Sequence, residues 1–268
     1  MLAASSLAAT ARAERLPYLT KDGPHFVDEA GEPVILRGVN MGNWLLLELW
    51  MQAQYDGAIP DQHSLEALLT SRFGASEKDR LMEIWRDNLI TERDFDLLDD
   101  FGFNVVRLPF WHTLMEDDAA PFVLKPGAFE HLDRAIQWAA ERDIHVILDL
   151  HGAQGSQGWE HHSGWQGRNQ LWSSTQNQDR VVWLWEQIAT RYRNDPTVAA
   201  YDILNEPWGT NNTQLREVSV RIATAIRAQD PWHVILLPAN QSSGLGFYSE
   251  PMSAYGLRNI AFTLHFYL

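Results

Sequence analysis

The chain has 268 residues, a length that fits one large domain or two small ones, and with 45% hydrophobic and 21% charged residues its composition is that of a folded protein rather than a disordered one. Its net charge of −14 argues against nucleic acid or an anionic membrane surface as the main partner, because both repel an acidic protein. The absence of Cys excludes a disulfide framework, Cys-ligated zinc, an iron–sulfur cluster and a thiol nucleophile.

In chain order, residues 2–10 (LAASSLAAT) are small and mildly apolar, and Ala11-Arg12-Ala13 then offers a cleavage pattern. Residues 1–13 therefore read as the remnant of a secretory signal on a secreted or periplasmic protein, or else as a disordered Ala/Ser start. No later run approaches the ~18 uninterrupted apolar residues of a membrane span. FVDEAGEPV at 26–34 predicts a hairpin turning at Ala30-Gly31. Six runs predict strands: residues 33–40, 103–109, 144–151, 198–205, 232–238 and 259–267. Their apolar character is nearly continuous, as in parallel strands covered on both faces. A partly helical insertion occupies 61–88, and amphipathic helices are predicted over 91–101, 127–142, 178–193 and 213–228. The 91–101 helix has an acidic first turn that suits the helix dipole.

Alternating β and α units without a linker or composition break predict one α/β domain over residues 14–268, built on a parallel sheet. RGVNMGNW after the first long strand lacks the G-x-G-x-x-G turn of a dinucleotide-binding sheet, so a (β/α)₈ barrel is the better match. Six of its eight units are identifiable, and the unpaired edges of the first and sixth strands are expected to seek another chain.

In such a barrel, catalytic groups sit where the strands end. Polar residues fall there in four strands: Arg107 in VVRLPF, His151 in DLHG, Asn205-Glu206-Pro207, and His265-Phe266-Tyr267. Glu206 follows an apolar run and is held by Pro207, so partial desolvation is expected to raise its pKa and suit it to donate a proton. Glycoside hydrolysis needs such an acid and a second carboxylate across the scissile bond. The 12 Trp fit a sugar-binding protein, and Trp159, Trp165 and Trp172 after the third strand are read either as stacking platforms or as loop packing. No G-x-S-x-G, P-loop or H-E-x-x-H is present, and the adjacent His161 and His162 are poorly spaced for one metal ion.

Together these motifs resemble glycoside hydrolase family 5, the cellulase-type family of retaining β-glycosidases, from about Phe26 onward. RGVNMGNWLLLELW and LHGAQGSQ are further similar to its exo-β-1,3-glucanase branch. The resemblance implies a β-glucan poly- or oligosaccharide substrate, no cofactor or metal, and Glu206 as acid/base. It further implies that Glu48 contacts the sugar, that Arg107, His151 and Asn205 position sugar and acid, and that His265 and Tyr267 hold the site around the nucleophile. The nucleophilic Glu belongs at the end of a seventh strand, beyond residue 268. Where that branch carries Asn before Ser-Gly, this chain carries His162. A non-catalytic carbohydrate-binding barrel using the same rim is the alternative.

Overall fold

The computed structural model describes residues 15–52 and 57–266. The 1–13 segment and Tyr267 therefore lie outside the described residues. Six parallel strands form the central sheet: β4 (Gly38–Asn40), β5 (Val105–Trp111), β8 (His145–Gly152), β9 (Val198–Asp202), β10 (Val234–Pro238) and β11 (Ile260–Thr263). Each strand pairs with the next one in this series, in the order β11-β10-β9-β8-β5-β4, so the sheet winds in one direction as a barrel wall does. Helices α3 (Glu92–Asp100), α4 (Glu130–Ala140), α5 (Thr175–Tyr192) and α6 (Asn212–Gln229) return the chain between strands. The insertion is two helices, α1 (Gln62–Phe73) and α2 (Ala75–Leu89). α1 is capped by Asp61, whose carboxylate accepts from Ser64 N.

The central strands are buried on both faces, as their nearly continuous apolar runs predict, but the two faces differ in polarity. Val106, Leu108 and Phe110 of β5, Val146, Leu148 and Leu150 of β8, and Ile235 and Leu237 of β10 join the main core with Leu132 and Ile136 of α4, Leu184 and Trp185 of α5, and Ile222 and Ile226 of α6. The alternate residues form the opposite face. There Ala200, Val234 and Leu236 make a small apolar cluster near the strand starts, sealed by Phe26. One step further along come Arg107, Asp149 and Asp202, where Asp149 and Asp202 are register partners. An inner face this polar is tolerated because the guanidinium pairs with both buried carboxylates.

Phe26 comes from the predicted hairpin, β2 (His25–Val27) and β3 (Pro33–Val34), which turns through Gly31 at φ 83°. A further strand, β1 (Thr20–Asp22), extends it. The predicted strand 33–40 is thus two elements, β3 in this small sheet and β4 in the barrel wall. Between them Asn104 takes over the ladder's role, accepting from Arg37 N at 2.7 Å and donating to Ile35 O at 2.9 Å. A second hairpin not foreseen from sequence, β6 (Glu116–Asp117) and β7 (Ala120–Leu124), follows β5. Its buried Glu116 accepts from Arg180 of α5 and Gln154 of the loop after β8.

Candidate active site

Where the six strands end, a cavity of about 220 Å³ is lined by Glu48, Trp50, Met51, Arg107, His151, His162, Asn205, Glu206 and His265, among others. All the sequence-predicted site residues that are described therefore meet at one place. A larger cleft of about 600 Å³ lies among α1, α2 and α4, but its lining consists mainly of charges such as Lys78–Glu66 and Arg86–Glu83 that pair with each other.

The base of the site is the buried charge layer. Arg107 donates through Nε to Asp202 Oδ2 at 2.9 Å and lies 3.0 Å from Asp149 Oδ1. Burial pushes the Asp202 carboxyl up to about 6; Arg107 pulls it down and Asp149 pushes it further up. From this layer two side chains reach the rim. His151 Nδ1 sits 2.5 Å from Asp149 Oδ2, and Asn205 Oδ1 accepts from Arg107 Nη2 at 3.0 Å. Gln157, fully buried and missed from sequence, staples the two loops together. Its Nε2 donates to the carbonyls of His151 and Asn205 at 2.7 and 2.8 Å, while Oε1 accepts from Ala153 N.

Glu206 follows directly, at φ 40°. A left-handed conformation at a non-glycine residue costs of order 1–3 kcal/mol and persists only where the surroundings enforce it. Its carboxylate faces His265, with Nδ1 2.5 Å from Oε1, and His162, with Nε2 3.4 Å from Oε2. His265, which the resemblance implies holds the site around the nucleophile, contacts Glu206.

Glu48 occupies another part of the wall. It accepts from Trp50 Nε1 at 3.0 Å and lies 3.5 Å from His161 Nε2 and 3.8 Å from His151 Nε2. Burial alone would raise its carboxyl, but His161, His151, Trp50 and His162 outweigh burial and hold it below the usual range. Its bond to His161 raises that imidazole in turn. His162 moves the other way: burial, then the neighbouring His151, push it down to about 4. The adjacent imidazoles thus divide between two carboxylates instead of converging on one ion. The ligand atoms of Glu83, Asp87 and His131 do lie within 4.8 Å of one another. There, however, Arg134 Nη2 stands 2.6 Å from His131 Nδ1, so the ring's proton sits on Nε2, facing Glu83, where a metal would need the lone pair.

The tryptophans separate by environment. Trp172 is buried and donates to the carbonyls of Gln157 and Trp208, and Trp165 is covered by His63 on a stacked ring at 3.4 Å and by Arg168. Both pack loops. Trp159 and Trp208 meet edge to face at 6.0 Å and remain partly exposed, as does Trp50 at the cavity. His161, His162, Trp50, Asp149 and Asp202 were not singled out as site residues from sequence. The two Asp residues were detectable as carboxylates inside apolar runs; the other three sit in loops with no periodicity to read.

The family model for cellulase (glycosyl hydrolase family 5) matches residues 65–268. A β-xylosidase from Phanerodontia chrysosporium is 34% identical over 255 residues, covering 94% of this chain and 52% of that protein. A probable glucan 1,3-β-glucosidase A from Emericella nidulans is 36% identical over 208 residues, covering 75% of this chain and 50% of the relative. The chain thus spans about half the length of the curated relatives it matches. Among solved structures, the rutinosidase from Aspergillus niger superposes with a TM-score of 0.72 at 18% identity over 84% of this chain and 67% of its own, a likeness of fold.

Proposed function

The chain belongs to glycosyl hydrolase family 5, and from that membership we propose that it is part of a retaining hydrolase of β-linked glucans with Glu206 as general acid/base. The observation that carries this reading is Glu206 itself. Its carboxylate is turned into a cavity at the strand ends, on a strained backbone, beside an Arg107–Asn205–His151 network. The matched relatives' names, glucan 1,3-β-glucosidase and β-xylosidase, support equatorially linked pyranoses as the substrate class.

In the first half-reaction Glu206 gives its proton to the glycosidic oxygen while a second carboxylate attacks the anomeric carbon, so the leaving sugar departs neutral and a glycosyl-enzyme ester forms. In the second, Glu206 takes a proton from water, whose oxygen displaces the ester and restores both carboxyl groups. The two carboxyl groups of such a pair stand ~5–5.5 Å apart. We assign the attacking one to a segment outside these 268 residues and Glu48, with Arg107 and His151, to holding the sugar.

The test is Glu206→Gln in the full-length protein that carries this chain. Loss of turnover on laminarin, with partial azide rescue on an aryl β-glucoside, is expected, because azide attacks the glycosyl-enzyme without base assistance. Polysaccharide hydrolysis near the wild-type rate would remove Glu206 from this role. A wild-type protein that binds laminari-oligosaccharides but hydrolyses none would make it a binding barrel.

A further inference from the structure

The hydrogen-bond polarity around Asn205 is fixed at one end by a group that can only donate. Arg107 Nη2 meets the Asn205 side chain at 3.0 Å, so the atom it meets is the amide oxygen. The Asn205 NH₂ must then face the two imidazoles, His151 Nε2 at 3.3 Å and His162 Nδ1 at 3.2 Å. Both nitrogens receive a proton and so present lone pairs. For His151 this agrees with its other contact, since Nδ1–H donates to Asp149. For His162 it leaves Nε2 as the protonated nitrogen, and Nε2 faces Glu206 Oε2 at 3.4 Å. Direction therefore passes from Arg107 through Asn205 and His162 to the carboxylate.

We propose that His162 is a positioning residue for Glu206, presenting an Nε2–H of fixed tautomer to Oε2 while His265 holds Oε1. The inference rests on Glu206 being the acid/base. Where the branch the sequence resembles carries Asn, this chain places a partly buried ring that donates from one nitrogen because the other accepts from Asn205. The groups that face it are His151 from the end of β8, Glu48 from the loop after β4, its neighbour His161 and Glu206 after β9. Burial and His151 keep the ring neutral down to about pH 4, so the tautomer persists across the range in which a glycosidase works. A donor on Oε2 favours the carboxylate over the acid, which supports the half-reaction in which Glu206 accepts a proton.

The experiment is carbon-13 NMR titration of the Glu206 carboxyl in the full-length protein, wild type against His162→Ala and His162→Gln, with nitrogen-15 spectra of the wild-type imidazoles. The Glu206 midpoint is expected to rise by about half a unit or more in His162→Ala. It should stay near wild type in His162→Gln, whose amide both accepts and donates, and His162 should show the neutral Nε2–H tautomer from pH 5 to 8. On an aryl β-glucoside the alkaline limb of kcat/KM should follow the same order. An unmoved midpoint in His162→Ala, or an Nδ1–H or doubly protonated His162, would overturn the inference. If the alanine variant does not fold, the wild-type tautomer and the glutamine titration decide. Wild-type protein without turnover counts against the proposed function alone, since neither spectrum requires catalysis.

Discussion

Each end of the parallel sheet presses a carboxylate against an imidazole, with opposite consequences. Beside the starts of β9 and β10, Asp230 Oδ2 accepts from Tyr201 OH at 2.7 Å and meets His233 Nδ1 at 2.5 Å, while Oδ1 accepts from Trp232 N and His233 N. His233 Nε2 ends on the Asp195 carbonyl, and Tyr18 covers the ring edge to face at 5.5 Å. Burial would raise the Asp230 carboxyl, but these donors outweigh it and hold it below the usual range. At the other end the Glu206–His265 pair has the same 2.5 Å separation, yet it borders a cavity on a strained backbone. The shared pair shows that chemistry is not encoded by a carboxylate and an imidazole as such. A closed pair braces the fold, whereas one opening on a cavity is available to a substrate.

A crossed pair of substitutions breaks or sharpens that comparison most strongly. In a protein that also carries the attacking carboxylate, Glu206→Gln should lower turnover on unactivated β-glucan by about 10²–10⁴-fold and leave the melting temperature nearly unchanged. Asp230→Ala should do the reverse, costing about 3–5 kcal/mol of stability by stranding His233 and Tyr201, with turnover per folded molecule retained. Denaturant titration and steady-state kinetics on both variants read this out, and a stability loss confined to Glu206→Gln would invert the assignment.

The next effect is in stability against pH, where two site groups act with opposite sign. Asp202 binds its proton more tightly in the folded state, at about 6, than in an unfolded chain near 3.9. Its favourable contribution is complete below the unfolded value and is lost as pH rises through about 6. His162 is depressed to about 4 from an unfolded value near 6.5, so its contribution is present above 6.5 and is lost as pH falls toward 4. Melting curves from pH 4 to 8 should therefore become flatter near pH 6 in Asp202→Asn and less acid-sensitive in His162→Gln. Slopes identical to wild type in both variants would show that neither group titrates differently on folding.

The smallest expected effect separates the tryptophans. Trp159→Ala should leave stability within about 0.5 kcal/mol but weaken the fluorescence response to laminari-oligosaccharides several-fold. Trp172→Phe, losing an indole N–H shared between the carbonyls of Gln157 and Trp208, should cost about 1–3 kcal/mol and leave that response in place. An unaltered titration in Trp159→Ala would return that ring to plain surface packing.

The sequence by itself determined the repeating units and the rim. Apolar runs separated by amphipathic stretches specified the second to fifth strands of the wall and the four helices between strands to within a few residues. The run 33–40, by contrast, splits between two sheets, because periodicity is local and the choice of sheet is not. The strand-end motifs specified that Arg107, His151, Asn205, Glu206 and His265 share one end, since every parallel strand runs the same way. Tertiary structure alone decided which face each strand turns inward, and so that Arg107 would span Asp149 and Asp202, residues 42 and 95 positions away. It alone brought His162 onto Glu206 and His161 onto Glu48, from a loop with no pattern to read. It also separated the buried Trp172 from the half-exposed Trp159, because an indole gives the same signal in a sequence whether packing or solvent meets its face. Local pattern reports what a segment can form; which polar atoms are left facing one another depends on contacts between segments far apart in the chain.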